Sequence, residues 1–187
     1  NKTLIIISNS SKRKDTTANK LSVLGYNKNY FLEIMTSGEM IWQSLIHMKH
    51  DFTKKLKKNC FHIYDENKKD GKKYLEGLEK FNFVGNIEEA DFILGCTPKL
   101  NTTTIDYIPL LTKAIKNSLP FICVNPDFVT VEQNTKKLII CMGTVAELYK
   151  NMGGEVFILG KPDSEIYNES IKTISNLNKS KILAIGD

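Results

Sequence analysis

The hydrophobic residues of this chain form short unbroken runs that alternate with longer amphipathic segments. An unbroken apolar run is typical of a strand buried on both faces, as in a parallel sheet covered by helices. The predicted strands are Lys2–Ile7, Tyr30–Met35, Cys60–Tyr64, Ala90–Gly95, Leu119–Val124, Lys137–Cys141, Phe157–Leu159 and Ile182–Ile185. Strands that alternate with helices at this spacing predict an α/β fold with parallel pairing.

The segments between these runs predict helices from their apolar spacing and their end signals. A helix over 15–21 ends at Gly25, a residue suited to a helix C-terminus, and 103–116 keeps helical spacing despite Pro109. Ser37, followed by Glu39, predicts the cap of another helix. The stretch 70–80 predicts an amphipathic helix, and 49–58 a charged, solvated helix face.

The composition of the chain argues mainly against certain classes of function. The net charge is +5, but Arg13 is the single arginine, whereas nucleic-acid readers usually rely on arginine, so nucleic-acid binding is disfavoured. The apolar runs are shorter than the ~20 residues that a membrane helix needs, and no signal peptide is evident. The four cysteines form no C-x-x-C pair, which disfavours a metal or disulfide framework and favours a cytoplasmic location.

Three predicted strands end in residues suited to hold a phosphoryl group. They are Ser8-Asn9-Ser10-Ser11, Gly160-Lys161-Pro162 and Gly186-Asp187. Because parallel strands present their carboxyl ends at one edge of a sheet, we expect the three sets to converge. Pro162 predicts the first position of a helix, which would place Lys161 near free backbone N–H groups that suit phosphate.

Phosphoryl transfer requires positive charge around the equatorial oxygens of the transferred group. The Ser8 hydroxyl can donate a hydrogen bond to one oxygen, the backbone N–H of Asn9 can reach a second, and Lys161 can neutralise their charge. Asp187 suits Mg²⁺, which prefers carboxylate and water oxygens. Each motif alone is equally compatible with an ordinary turn, since serine, asparagine, glycine and proline are common turn formers.

In this order, and with Asn125-Pro126-Asp127 between them, the motifs resemble the haloacid dehalogenase-like phosphatases. The resemblance spans the chain and is strongest for the class IIA branch of NagD-like and 4-nitrophenyl-phosphatase-like enzymes. It implies a partial Rossmann-like parallel-sheet core of residues 1–36 and 156–187, with an inserted α/β cap domain over 37–155. The implied site residues are catalytic Ser8 and Lys161, substrate-binding Asn9, Asn125 and Asp127, and the metal ligand Asp187.

The resemblance further implies a cytoplasmic, Mg²⁺-dependent phosphatase that hydrolyses small phosphorylated metabolites through an aspartyl-phosphate intermediate. It implies neither a nucleic-acid nor a membrane partner and leaves a homo-oligomer open. The family's first motif, an Asp-x-Asp that supplies the nucleophile, would lie upstream of Asn1. We therefore expect residues 1–187 alone to be inactive.

Two other functions stay open at the level of sequence. The first is a non-catalytic binding or interaction domain of the same fold, which an upstream Asp-x-Asp would argue against. The second is a Rossmann-type nucleotide-binding enzyme. That class requires a glycine-rich turn after the first strand, whereas Ser8-Asn9-Ser10-Ser11 contains no glycine, so it ranks behind the others.

Overall fold

The computed structural model describes residues 2–131, 136–175 and 177–186, and their alternating strands and helices confirm the predicted α/β class. The strands are β1 Leu4–Ser8, β2 Phe31–Thr36, β3 Asn59–Ile63, β4 Asn82–Val84, β5 Phe92–Gly95, β6 Phe121–Cys123, β7 Val129–Val131, β8 Leu138–Ile140 and β9 Val156–Ile158. The helices are α1 Lys14–Val23, α2 Ser37–His47, α3 Asp51–Lys54, α4 Lys69–Tyr74, α5 Thr104–Lys116, α6 Met142–Asn151 and α7 Ser164–Ile171. Short 3-10 helices lie at Lys28–Tyr30, Ile87–Glu89 and Lys179–Lys181.

The larger sheet of the described residues has five parallel strands in the order β4-β3-β5-β6-β9. Successive residues of β5 serve different faces, so Phe92 and Leu94 belong to one hydrophobic cluster and Ile93 to another. The first cluster includes residues of α2, α4 and α7, and the second includes residues of α5 and α6. Helices therefore cover both faces, which is why the central strands are apolar throughout.

A two-stranded parallel sheet, called the small sheet below, pairs β1 with β2 and sets Ser8 opposite Thr36. Helix α1 packs against β2, and α7 packs against both strands. Strand β2 leads directly into α2, whose buried residues Met40, Ile41 and Leu45 belong to the core of the larger sheet. The end of the small sheet is thus held close to the carboxyl ends of the large one.

Several predicted strands differ in their pairing. Leu138–Ile140 does not join a parallel sheet but pairs antiparallel with Val129–Val131, because these exposed strands find a partner nearby in the chain. Val156–Ile158 lies beside β6 at the edge of the larger sheet, and not beside β1 where the predicted core placed it. The division into core and cap remains a proposal.

The predicted strand Ile182–Ile185 is not formed, and Leu183 and Ile185 are 81% and 91% exposed. A strand needs a hydrogen-bonded neighbour, and among the described residues β1 pairs with β2 alone. Apolar composition was therefore an insufficient signal at this end of the chain. Two of the three predicted strand ends remain, those before Asn9 and Lys161.

Helix starts and ends also depart from prediction. The cap of α2 is Thr36, whose hydroxyl accepts a hydrogen bond from the Glu39 N–H at 2.9 Å. Ser37, the predicted cap, is instead the first residue of the helix. Helix α7 is capped by Asp163, so Pro162 lies before the helix. Helix α4 ends at Tyr74, short of the predicted Lys80, and the backbone then continues in hydrogen-bonded turns. None of the helices in the described ranges is long and apolar enough to cross a membrane.

Candidate functional site

The chain segments that follow β1, β6 and β9 meet at the side chain of Asn9. The side-chain oxygen of Asn9, Oδ1, accepts a hydrogen bond from the Lys161 backbone N–H at 2.7 Å. Its amide nitrogen donates to the Lys161 backbone carbonyl at 3.1 Å and to the Asp127 carboxylate at 2.8 Å. Asn9 is only 8% exposed. Three of the predicted site residues therefore share one junction.

Ser37 fixes the backbone of this junction from the first turn of α2. Its hydroxyl lies within hydrogen-bond distance of the backbone carbonyls of Asn9, at 2.9 Å, and Val124, at 2.5 Å. The next residue, Gly38, donates its N–H to the Ser10 carbonyl at 3.0 Å. The start of α2 thus joins the turn after β1 to the end of β6.

Gly160 explains how the segment after β9 approaches Asn9 so closely. A Cβ atom at this position would lie 2.9 Å from the Asn9 side-chain oxygen, the Pro126 side chain and the Ser37 side chain. Contacts that short do not occur in folded proteins without movement of the neighbours. Glycine before Lys161 is therefore required by packing at the junction.

The turn Asn125-Pro126-Asp127 presents the Asp127 carboxylate to Asn9. The Asn125 side-chain oxygen accepts a hydrogen bond from the Asp127 N–H at 3.0 Å, which is the bond of an Asx-turn. The Asp127 carbonyl in turn accepts from the Gly143 N–H at 3.1 Å, at the start of α6. Asp127 is an exposed residue, and its bond to Asn9 is made through Oδ1 of the carboxylate.

Ser8 and Lys161 lie on either side of the Asn9 junction, Ser8 at the end of β1 and Lys161 after β9. The half-buried Ser8 accepts a hydrogen bond from the Ser10 N–H at 3.2 Å. Within the described part of the chain, no carboxylate lies within ion-pair distance of the Lys161 ammonium group. The Lys161 charge is therefore not already neutralised by a protein partner there.

A buried ion pair holds the turn that follows Ser8 and Asn9. Arg13 donates from Nε to a Glu39 carboxylate oxygen at 2.7 Å, and its guanidinium lies 3.4 Å from the centre of the Trp42 ring. Burial raises the pKa of Glu39, but hydrogen bonds from Arg13 and Gln43 outweigh it, and the net effect is a lowered pKa. Glu39 is therefore ionised at neutral pH and ties the turn to α2.

The predicted metal ligand Asp187 lies outside the described residues. In the ranges that the structure describes, no group of three or more His, Cys, Asp or Glu side chains comes together to hold a metal ion. These residues do not by themselves fit a magnesium site.

A cavity of about 910 Å³ opens beside the junction, and its lining was not predicted from sequence. Ser10, Ser11 and Lys12 line it directly after β1, while Asn125 is the one predicted site residue among its described lining. Ser8, Asn9, Asp127 and Lys161 do not line it. The missed residues include Lys20 and Lys68, whose place in charged segments resembles that of ordinary solvated lysines.

Comparison with solved structures gives clear similarities, whereas no protein-family model and no curated protein sequence matches the chain. A hydrolase of the haloacid dehalogenase-like family from Brucella suis 1330 is 27% identical with a TM-score of 0.76, covering 90% of this chain and 58% of its own. A p-nitrophenyl phosphatase from Archaeoglobus fulgidus is 20% identical with a TM-score of 0.55, covering 90% and 59%.

A glycerol phosphate phosphatase from Mycobacterium tuberculosis, solved in complex with magnesium, is 16% identical with a TM-score of 0.60, covering 89% of this chain and 48% of its own. This chain thus spans less than two thirds of the length of these proteins. The last two similarities show the fold alone. Together the comparisons confirm the resemblance that the ordered motifs indicated: the structural neighbours of this chain are haloacid dehalogenase-like hydrolases, p-nitrophenyl phosphatases among them.

Proposed function

We propose that this protein is a phosphatase that hydrolyses small phosphate monoesters. The observation that carries the proposal is the junction of Asn9, Asp127 and Lys161 at the ends of strands from both sheets. The carboxyl ends of parallel strands are where open α/β sheets bind their ligands. The named phosphatases among the structural neighbours support the same class of reaction.

In this proposal Lys161 and Ser8 act on the phosphoryl group. The Lys161 ammonium stabilises the negative charge of the equatorial oxygens, and such preorganised charge is most effective when little reorganisation is needed during the reaction. Asn9 holds the Lys161 backbone on both its N–H and its carbonyl, so the lysine starts from a fixed position. Ser8 donates a hydrogen bond from its hydroxyl.

The nucleophile in this proposal is an aspartate that forms an aspartyl-phosphate, which water then hydrolyses. The family resemblance implies that it belongs to an Asp-x-Asp motif, and residues 1–187 contain no such motif. The alternative function is a non-catalytic binding or interaction domain of the same fold. The two functions differ in whether phosphate esters are turned over.

Magnesium is retained as the proposed cofactor because the similar phosphatase from Mycobacterium tuberculosis was solved with magnesium and also with calcium. A divalent ion would supply positive charge to the phosphoryl oxygens when bound. A small phosphorylated metabolite is the proposed partner. A cytoplasmic location is proposed because the four cysteines are buried free thiols, which suits a reducing compartment.

The first prediction tests the catalytic assignment with a panel of phosphate esters, including p-nitrophenyl phosphate, at saturating Mg²⁺. It uses the protein as its gene encodes it, with residues 1–187 alone as a second sample. Lys161→Ala should lower kcat on every ester by about a hundredfold or more, because the charge it faces is present in every substrate. Asp127→Ala should mainly change KM and the ranking of substrates.

The matched control is Lys116→Ala, which removes an exposed lysine at the end of α5 and should leave kcat unchanged. Residues 1–187 alone should show no turnover, since they lack the proposed nucleophile. Unchanged kcat in Lys161→Ala would remove the lysine from the chemistry. Absence of turnover by the gene-encoded protein on every ester would favour the non-catalytic binding domain.

A further inference from the structure

The cavity beside the junction carries an excess of positive charge. Of its described lining residues, five are lysines and two are aspartates. The excess is concentrated where Lys12, Lys20 and Lys68 approach one another around Asp70 and Asp65. A concave surface with one prevailing sign of charge attracts ligands of the opposite sign.

The lysines outnumber the carboxylates within this cluster. Lys12 pairs with Asp70 at 2.7 Å, and Lys68 lies 3.6 Å from the carboxylate of Asp65, which is 2% exposed. Lys20 projects from α1 next to Lys12, with Asp70 as the carboxylate that attracts it and Lys68 as a further repelling charge. Three ammonium groups thus share two carboxylates.

The closeness of the three ammonium groups changes the pKa of Lys20. The pKa of Lys20 is lowered to about 8, chiefly by its contact with Lys12 and then by burial and the charge of Lys12, while the attraction of Asp70 offsets part of the change. An anion placed between Lys12 and Lys20 would be attracted by both ammonium groups. It would also raise the pKa of Lys20, so that binding takes up a proton near pH 8.

The cluster lies within reach of the proposed phosphoryl site. Lys12 follows Ser8 by four positions in the same turn, so their backbones are at most about 14 Å apart even if fully extended. Ser10 and Ser11 line the cavity between them. A ligand with two acidic groups that bridges Ser8 and Lys12 therefore joins two points of the same short turn.

We propose that the Lys12, Lys20 and Lys68 cluster binds a second acidic group of the ligand, so that preferred substrates carry another phosphate or a carboxylate besides the phosphoryl group that is cleaved. This inference rests on the proposed phosphatase function and deepens it by naming the substrate class. Monoesters with a neutral leaving group fill the phosphoryl site but bring no second anion to the lysines, whose three charges then share only Asp65 and Asp70.

The test is calorimetric binding of two probes that cannot be hydrolysed, butane-1,4-diphosphonate and butylphosphonate. The diphosphonate should bind at least about tenfold more tightly, because charge-assisted hydrogen bonds to a second anion are strong. Lys20→Gln should lose most of that advantage. Lys14→Gln, a change on the same helix but outside the cavity lining, should keep it. Equal affinities of the two probes, or an advantage that persists in Lys20→Gln, would overturn the proposal.

A second readout uses proton uptake, measured by repeating the titration at pH 8.5 in two buffers of different ionisation enthalpy. The wild-type protein should take up more protons with the diphosphonate than Lys20→Gln does, and equal uptake would count against the proposal. The outcomes separate the two claims. Hydrolysis of monoesters without a Lys20-dependent advantage sinks the second anion site alone, whereas Lys20-dependent binding without hydrolysis sinks the phosphatase function alone.

Discussion

Asn9 shows how one residue can determine the geometry of the candidate site. Its side-chain amide donates two hydrogen bonds, which uses both N–H groups, and its side-chain oxygen accepts one. The partners come from two distant parts of the chain, Asp127 and Lys161. Burial of an amide is costly unless it is hydrogen-bonded, and these bonds make Asn9 a specific connector between elements.

Replacing Asn9 should therefore destabilise the fold. Asn9→Ala removes three hydrogen bonds, one of them to a carboxylate, and should lower the free energy of unfolding by about 2–4 kcal/mol. The control is Asn27→Ala, which removes an exposed cap of a 3-10 helix and should cost about 1 kcal/mol or less. Urea denaturation of both variants gives the comparison. A loss for Asn9→Ala no larger than for Asn27→Ala would show that the junction adds little stability.

The sequence predicted the residues of this junction better than their interactions. Asn9, Asp127 and Lys161 were all chosen from turn chemistry at strand ends and from a family resemblance. The use of the Asn9 side chain was missed, because its partners lie 118 and 152 positions away. Local patterns hold no information on such pairs. The cavity lysines were missed for the same reason, since only the fold brings Lys20 and Lys68 near Lys12.

At the scale of elements, the start of α2 packs directly against the turn after β1. A Cβ atom on Gly38 would lie 2.4 Å from the Ser11 carbonyl oxygen and 2.6 Å from that of Lys12. Both obstacles are backbone atoms, so a rotamer change cannot relieve the clash. The helix can approach the turn only because residue 38 has no side chain.

Gly38→Ala should accordingly force α2 and the turn apart and cost about 2–3 kcal/mol of unfolding free energy, as overpacking does in other cores. Gly85→Ala is the matched control, because no atom lies within 4 Å of the Cβ that it would add. That variant should stay within about 1 kcal/mol of wild type. Thermal and urea unfolding of the pair would decide, and equal stabilities would mean that the turn yields easily.

Strands were predicted correctly where both of their faces are buried, because burial on both faces requires an unbroken run of apolar residues. Strands β5 and β6 are fully buried and appeared as continuous apolar runs. The strand at Leu138–Ile140 was also predicted, but its antiparallel pairing was not, and the strand predicted at Ile182–Ile185 is not formed. Their apolar character could not reveal whether a neighbouring strand is available. Whether a strand pairs in parallel or antiparallel depends on the arrangement of the whole sheet, so it cannot be predicted from the three residues of one strand.

At the scale of the whole molecule, polar links join the α2–α3 segment to α7. Lys49 contacts Glu165 at 3.1 Å and Glu169 at 2.6 Å, while His50 Nε2 lies 2.7 Å from Glu165. Burial raises the pKa values of both glutamates, but hydrogen bonds from His50, Lys49 and Lys172 outweigh it and lower them. Their stabilisation is present above the ordinary glutamate pKa and is lost as the pH falls below it.

His62 sets a second limit on acid stability, at higher pH. It lies on β3, stacked on Tyr64 with ring centroids 4.5 Å apart, and both of its ring nitrogens are buried with no hydrogen-bond partner among the residues that the structure describes. Burial lowers the pKa of His62 from 6.5 to about 4. As the pH falls from 6.5 to 4, the unfolded chain binds a proton that the folded protein does not. The fold should therefore lose about 3 kcal/mol over that window.

His62→Phe should remove this pH dependence, because phenylalanine keeps an aromatic ring in the stack but cannot bind a proton. The stability difference between the variant and wild type should widen by about 2–3 kcal/mol between pH 7 and pH 4.5, measured by urea denaturation at half-unit steps. His47→Gln, at an exposed position in α2, should leave the slope as in wild type. Parallel stability curves for His62→Phe and wild type would mean that the folded protein accommodates a protonated His62. The loss of stability in acid would then begin only as the pH falls below the ordinary pKa of the paired carboxylates, such as Glu165 and Glu169.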